Sequence, residues 1–228
     1  NSIDNPLYTR KGSQFMFSVA ATPPWSLWDG KDYKNMSDQD EAKFRMIEYH
    51  KWKFKAKIFS PLAPLTVKRT PVLMTRVEYG FLGSYNKYKK SPFETFYMGG
   101  DGMSGYSSTY ATETIGLRGY ENGSIAGNGG YNSYGYAYSR LSMELRYPFL
   151  LEPSSTIYGL VFVEAGNAWR DLKDFNPFQL KRSAGVGVRI FLPMIGLMGI
   201  DWAYGFDRPD GYDQRGGSNF HFIIGQEF

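Results

Sequence analysis

The sequence contains few residues that could carry out catalysis. Its two histidines, His50 and His221, each fall inside a predicted strand, and the chain has no cysteine. No Ser-His-acid spacing, phosphate-binding loop or metal-ligand cluster is visible. The stretch from Asp207 to Asp213 has the acids of a calcium loop but neither its spacing nor its closing glutamate, which favours a polar hairpin loop. We therefore expect a protein that is not an enzyme and that uses no cofactor or metal.

Charged side chains follow a regular pattern instead. Between Lys51 and Lys57, lysines occupy every second position and alternate with Trp52, Phe54 and other apolar residues. Period-two alternation places the two sets on opposite faces of a strand. This segment predicts a cationic wall on one side of a lumen.

The same alternation recurs along the whole chain. It defines about eight segments, near the ~10-residue length with which a tilted strand crosses a bilayer. The segments are Ser13 to Thr22, Tyr49 to Phe59, Val72 to Phe81, Tyr136 to Tyr147, Ile157 to Trp169, Arg182 to Leu192, Leu197 to Phe206 and Asn219 to Phe228.

The two faces of these segments differ in chemistry. The polar faces mix charged residues with glycine and serine, which suits a water-filled, packed lumen. The apolar faces carry aromatic residues towards their ends, as a lipid-facing band with aromatic girdles requires, and aromatics make up 18% of the chain. The pattern predicts an all-β protein, a transmembrane antiparallel β-barrel in contact with outer-membrane lipid. A soluble sandwich or a lipocalin-like barrel with its apolar face inward remains an alternative.

Other classes of protein fit less well. No apolar run approaches the ~20 residues of a membrane helix. The net charge of +4 is modest, and its basic residues accompany no nucleic-acid-binding motif, so we expect no nucleic-acid partner.

Connection lengths predict the orientation. The connections after the second, fourth and sixth segments are short and Pro-rich, whereas the others are longer. Outer-membrane barrels have short periplasmic turns and long extracellular loops, which places the C-terminus in the periplasm. Because the sequence has neither an initiator methionine nor a signal peptide, we expect a processed chain or a fragment.

One connection, from Lys87 to Gly135, is much longer than the rest and carries a family resemblance. Its Leu117-Arg118-Gly119-Tyr120 resembles the Val-Arg-Gly-Phe signature in the sixth extracellular loop of BamA-type outer-membrane insertases, the bacterial surface-antigen barrels. The stretch from Phe162 to Asn167 resembles the second motif of that family, an aromatic residue, an acid and then glycine. Segments 93–100 and 183–188 match in order and spacing as well, so the resemblance covers essentially the whole chain.

The resemblance implies a loop lock. The long loop would fold into the lumen, where Arg118 would meet Glu164, and the inward parity that Glu164 shares with Phe162 supports this. A guanidinium–carboxylate pair is directional and would pin a Gly-rich loop that has little core of its own. Gly119 would allow a tight backbone turn before Tyr120.

The resemblance also implies that the chain is incomplete. Eight strands can close a barrel, but its interior would be too narrow to hold this loop. We therefore expect residues 1–228 to form a single transmembrane segment, the C-terminal half of a sixteen-stranded barrel.

The function implied is the folding and insertion of outer-membrane proteins through a lateral seam. Partners would be nascent outer-membrane proteins and the accessory lipoproteins of an assembly complex. Gly225 should weaken the pairing of the last strand. The alternatives are a two-partner secretion or translocation-and-assembly transporter, or a complete small structural barrel. The seam residues are Phe220, Phe222, Ile224, Gly225 and Phe228.

Overall fold

The computed structural model describes residues 1–37, 40–102, 113–125, 134–152, 154–194 and 196–225. These ranges contain ten strands, one short helix α1 (Glu41–Phe44), and two 3-10 turns at Trp25–Leu27 and Leu172–Asp174. The strands are β1 (Gly12–Ala21), β2 (His50–Pro61), β3 (Val72–Gly83), β4 (Phe96–Met98), β5 (Glu113–Ile115), β6 (Ala137–Glu152), β7 (Ser155–Trp169), β8 (Lys181–Leu192), β9 (Gly196–Gly205) and β10 (Gly217–Ile224).

Eight of these strands form one antiparallel sheet in the order β1-β2-β3-β6-β7-β8-β9-β10. Each strand pairs with its neighbour along the chain, apart from the insertion between β3 and β6. Strands β1 and β10 are the two edges, and the described residues do not pair them, so the sheet is half of a barrel rather than a closed one. The predicted eight-stranded, all-β, antiparallel architecture is confirmed.

Two strands end more than two residues from their predicted bounds. Strand β6 continues past Pro148 to Glu152, because a register shift between Pro148 and Leu150 accommodates the proline without ending the ladder. Strand β10 ends at Ile224, so Gly225 follows the strand instead of lying inside it, in the left-handed region at φ +73°. Phe228 lies outside the described residues.

The sheet has an exposed outer face and a buried inner face, as the alternation predicted. Trp52, Val186 and Ile200 project outward and are 43–47% exposed, whereas Lys51 and Arg189 point inward and are buried. The outer face is apolar and the inner face is charged. This is the arrangement of a barrel whose outer surface meets lipid.

The insertion between β3 and β6 (residues 84–136) is called the long loop, and its described residues pack against the inner face. Its strands β4 and β5 form a separate parallel pair, which the alternation did not predict. The apolar side chains of the described loop that are buried here form one cluster with residues of the sheet, so the loop shares its core with the sheet. That cluster comprises Leu82, Phe96, Met98, Ile115, Leu117, Tyr120, Ile125, Tyr138 and Ala168.

Helices contribute little to this architecture. In the ranges given above, no helix is both long enough and apolar enough to cross a membrane.

Candidate functional site

The Arg118 turn (residues 117–120) lies at the tip of the part of the long loop that follows β5. Leu117 bonds to Gly100, since its N–H donates to the Gly100 carbonyl over 3.1 Å, and this fixes the start of the turn. Gly119 has φ +87°, a conformation that favours glycine. Leu117 and Tyr120 are buried on either side of it, so the turn is held by packing as well as by its polar contacts.

The Arg118 side chain is fully buried and bonds to three carboxylates of the sheet. Nη1 donates to Asp201 Oδ2 over 2.9 Å, and Nη2 donates to Glu144 Oε1 over 2.6 Å and to Glu164 Oε1 over 2.8 Å. The backbone N–H of Arg118 also donates to Glu164 Oε2 over 3.0 Å. The structure therefore places Arg118 and Glu164 in the predicted contact, and it adds two further carboxylates from β6 and β9.

Each of these carboxylates is shared with one arginine of the sheet. Arg140 donates to Glu164 over 2.8 Å, and Arg146 donates to Glu144 Oε2 through two nitrogens, at 2.7 and 2.9 Å. Arg189 donates to both oxygens of Asp201, at 2.6 and 2.8 Å. Four arginines thus face three carboxylates in what we call the anchor cluster: Arg118, Arg140, Glu144, Arg146, Glu164, Arg189 and Asp201.

The Phe162 ring packs against the Arg118 guanidinium of the anchor cluster. The Arg118 guanidinium carbon lies 3.4 Å from the centroid of the Phe162 ring, a stacked geometry that favours a desolvated cation. Two glycines of β8 make room for this arrangement. A Cβ at Gly185 would overlap the Phe162 ring, and one at Gly187 would overlap the Asp201 carboxylate.

The other residues of the turn contact strands β8 and β10. The N–H of Gly119 donates to His221 Nε2 over 2.9 Å, and the Tyr120 hydroxyl donates to the Arg182 carbonyl over 2.6 Å. Burial raises the pKa of Tyr120 to about 12, which keeps this hydroxyl protonated as a donor. The turn therefore bonds to β6, β7, β8, β9 and β10.

The lysines of β2 bond to the long loop. Lys51 and Lys53 lie 3.0 Å from the same Glu113 oxygen, and Lys51 also lies 3.0 Å from Glu94. Burial opposes ionisation of Glu113, but the two ammonium groups outweigh it and hold the pKa of this carboxyl below its ordinary value. The lysine ladder faces inward as predicted. The correction is that loop acids partner it, so it is not a bare wall towards water.

The predicted seam residues lie apart from the anchor cluster. Phe220, Phe222 and Ile224 project from the outer face of β10 and are 58–65% exposed, and Gly225 follows the strand. Between them, on the inner face, His221 faces Asp201 across the β9–β10 pair. His221 is thus the residue that links the two predicted groups, although the sequence suggested no role for it.

Sequence reasoning also missed Glu144, Asp201 and the three arginines of the sheet. The alternation puts these charged residues on the inner faces of β6, β7, β8 and β9, and an acid or arginine at such a position is a candidate contact for the loop. What was missing is the register, which decides which of those side chains lie at the same height as the Arg118 turn.

The arrangement is suited to holding a loop rather than to bond-making chemistry. The anchor carboxylates are occupied by arginine nitrogens, and such buried pairs hold geometry well. In the described part of the chain, no group of three or more His, Asp or Glu side chains is placed to hold a metal ion.

Comparison with known proteins agrees with this architecture. The chain resembles the crystal structure of BamA from Haemophilus ducreyi lacking POTRA domains 1-3, with 20% sequence identity and a TM-score of 0.65. The match covers 98% of this chain but 40% of that one, so the chain spans less than half the length of the protein it resembles. No curated protein matches the chain.

The family model for the Omp85 superfamily domain matches residues 1–228. With the half-barrel sheet, this match indicates an outer-membrane β-barrel. The chain belongs to the Omp85 superfamily.

Proposed function

We propose that this chain is part of an assembly factor that folds and inserts outer-membrane proteins through a lateral seam. The observation that carries the proposal is the anchoring of the long loop beside an edge strand. The Arg118 turn is fixed to the inner face from β6 to β10, and β10 itself is an edge of the sheet with an apolar outer face.

The mechanism follows from the cost of an unpaired strand edge in lipid. Backbone N–H and C=O groups have no water to bond with there, so an exposed edge is a strong template for another strand. When a substrate strand pairs with β10, the backbone groups on the paired edges of both strands find hydrogen-bond partners. This mode of strand addition is β-augmentation. This step needs neither a catalytic residue nor nucleotide hydrolysis. The anchored loop keeps the wall beside the edge in place while pairing changes.

The proposal includes the partners and the orientation. Nascent outer-membrane proteins would supply the strands that pair with β10, and accessory lipoproteins of an assembly complex would bind elsewhere on the protein. The end of β10 lies beside the short β8–β9 turn, and long connections lie at the opposite end of the sheet. This supports a periplasmic C-terminus, because short turns are periplasmic in such barrels.

The experiment that tests the function is a disulfide across the seam. In the full-length protein, a cysteine in β10 is linked to one in the barrel's first strand, and insertion of a substrate barrel into vesicles is measured. The locked protein should lose insertion and regain it on reduction. A matched control links β10 to β9 at the register pair Ile200 and Phe222, which stays paired in either case.

A normal rate of insertion by the locked protein would contradict the seam mechanism. A two-partner secretion or translocation-and-assembly transporter would then be the better assignment, because such a pore does not need its wall to open.

A further inference from the structure

The side chain of His221 joins the Arg118 turn to the edge strand β10. The Gly119 N–H donates to His221 Nε2 over 2.9 Å, and both residues are buried. An imidazole nitrogen accepts a hydrogen bond only when it carries no proton, so this contact assigns Nε2 as the acceptor.

The contact continues the anchor cluster by one strand. Asp201, which accepts a hydrogen bond from Arg118, faces His221 directly across the β9–β10 pair. Arg118 and Gly119 are consecutive residues, and they bond to consecutive strands at the same height. The turn therefore bridges the last strand pair of the sheet.

Shape reinforces this bridge. The Gly119 carbonyl lies so close to Gly205 and Gly216 that a Cβ at either position would overlap it. A Cβ at Gly119 would in turn crowd the backbone of β9, and its φ of +87° already disfavours other residues. The backbone of the turn is thus confined against β9 and the start of β10, with its N–H directed at His221.

We infer that His221 is a positioning residue that couples docking of the long loop to the position of β10. The inference rests on the proposed role of β10 as one side of an opening seam. If β10 moves away, the buried Gly119 N–H loses its acceptor, which carries a desolvation penalty. Coupling between two sites is reciprocal, so release of the turn must loosen β10 to the same degree.

The test compares acceptor-bearing and acceptor-free side chains at position 221 in the full-length protein in lipid vesicles. His221→Leu removes the acceptor at similar size, and His221→Gln restores one through its amide oxygen. Amide hydrogen exchange is followed in residues 217–224, in the turn 116–121, and in β7 as an internal reference. If His221→Leu yields no folded protein, His221→Ala serves as the acceptor-free variant.

The expected result is a joint change in two segments. His221→Leu should speed exchange about tenfold in both β10 and the turn, since a net buried hydrogen bond is worth about one decade, and leave β7 unchanged. His221→Gln should recover most of this protection. Arg118→Ala should also speed exchange in β10, and it should add little there when combined with His221→Leu.

Two outcomes would overturn the coupling. One is faster exchange in β10 while the turn keeps its full protection. The other is equal loss in His221→Gln and His221→Leu, which would mean that the ring contributes by packing alone.

The coupling and the seam function can fail separately. Hydrogen exchange requires no substrate, whereas the seam disulfide is scored by insertion. Joint loosening together with normal insertion by the locked protein would reject the function and keep the coupling. Independent exchange together with blocked insertion would reject the coupling and keep the function.

Discussion

Replacing Arg118 by alanine should release the long loop while leaving the sheet folded. The substitution removes three charge-assisted hydrogen bonds from one guanidinium and its stacking on Phe162. Such bonds contribute about 1.5–3 kcal/mol each when taken singly. Because they share one cation, whose desolvation cost offsets part of the sum, we expect a total loss in loop docking of roughly 3 kcal/mol, well below that sum.

The ion pairs that remain explain why the sheet should stay folded. No carboxylate of the anchor cluster is left without an arginine, because Glu164 keeps Arg140, Glu144 keeps Arg146 and Asp201 keeps Arg189. Three arginines then face three carboxylates, so the loss of Arg118 removes an excess charge rather than stranding one. Large destabilisation of buried ion pairs comes from an uncompensated charge, which is absent here.

The assay is hydrogen exchange of residues 113–125 together with urea unfolding of the barrel in vesicles. Exchange in the loop should rise steeply, whereas the unfolding midpoint should move little. Loop exchange in Arg118→Lys should lie between that of the original protein and that of Arg118→Ala. One ammonium group keeps the charge but cannot reproduce the planar guanidinium that reaches three carboxylates. The control is Arg182→Ala, an exposed arginine paired with Asp207, where about 0–1 kcal/mol is expected. Unchanged loop exchange in Arg118→Ala, or complete unfolding of the sheet, would refute this reasoning.

Three further predictions follow from the charges and faces of the sheet. Glu164→Gln should lower the urea midpoint more than Arg118→Ala does, because four arginines would then face two carboxylates. Val186→Arg, on the outer face of β8, should cost about 2–4 kcal/mol in unfolding measured in vesicles if it lies near the bilayer midplane. Acid should loosen the contact between β5 and β2: the Glu113 pKa is lowered from 4.5, so its stabilisation is complete above that value and disappears as the pH falls through the lower, folded-state pKa. The protection of residues 113–115 against exchange, relative to the intrinsic rate at the same pH, should therefore fall in acid. Glu113→Gln should abolish that pH dependence.

Each of these predictions has its own control. A milder effect of Glu164→Gln than of Arg118→Ala would show that the cluster does not carry an excess of positive charge. Phe178→Arg, on the exposed connection between β7 and β8, should leave stability unchanged, and an equal loss there and at Val186 would argue against a lipid-facing β8. A loss of protection in acid that persists in Glu113→Gln would assign the pH dependence to another carboxyl.

The eight strands of the sheet were predictable because period-two alternation survives wherever one face is buried. Val186 and Arg189, for example, reveal their faces by parity alone. The extension of β6 was not predictable by the same rule. Pro148 interrupts the alternation, and only the register shift seen in the ladder shows that pairing resumes at Leu150.

The anchor cluster was predictable in part. Motif resemblance led to Arg118 and Glu164, and parity placed Glu144 and Asp201 on the inner face. Parity does not fix height, however. Asp201 meets Arg118 because the registers of β8 with β9 and of β9 with β10 bring it level with Gly187 and His221. Register is set by interactions across the sheet, so no single segment encodes it.

The packing of the long loop could not be read from its sequence. Strands β4 and β5 are three residues each and pair in parallel, and their side chains contact Leu82, Tyr138 and Ala168 of the wall. Apolar residues in a Gly-rich loop show no periodicity, because the surface that buries them belongs to other elements. The shared core therefore becomes visible only in the folded structure.

The glycines of β8 and β9 give the wall an uneven stiffness. Gly185, Gly187 and Gly205 contribute only backbone to the interior, and the Phe162 ring, the Asp201 carboxylate and the Gly119 carbonyl lie in the space they leave. Glycine restrains neither its own dihedral angles nor its neighbours' side chains. Gly205 and Gly216, beside the edge strand, therefore depend on contact with the Gly119 carbonyl for their packing on the inner face. We expect the docked turn to stiffen this part of the sheet, and removal of the turn to leave it held by backbone pairing alone.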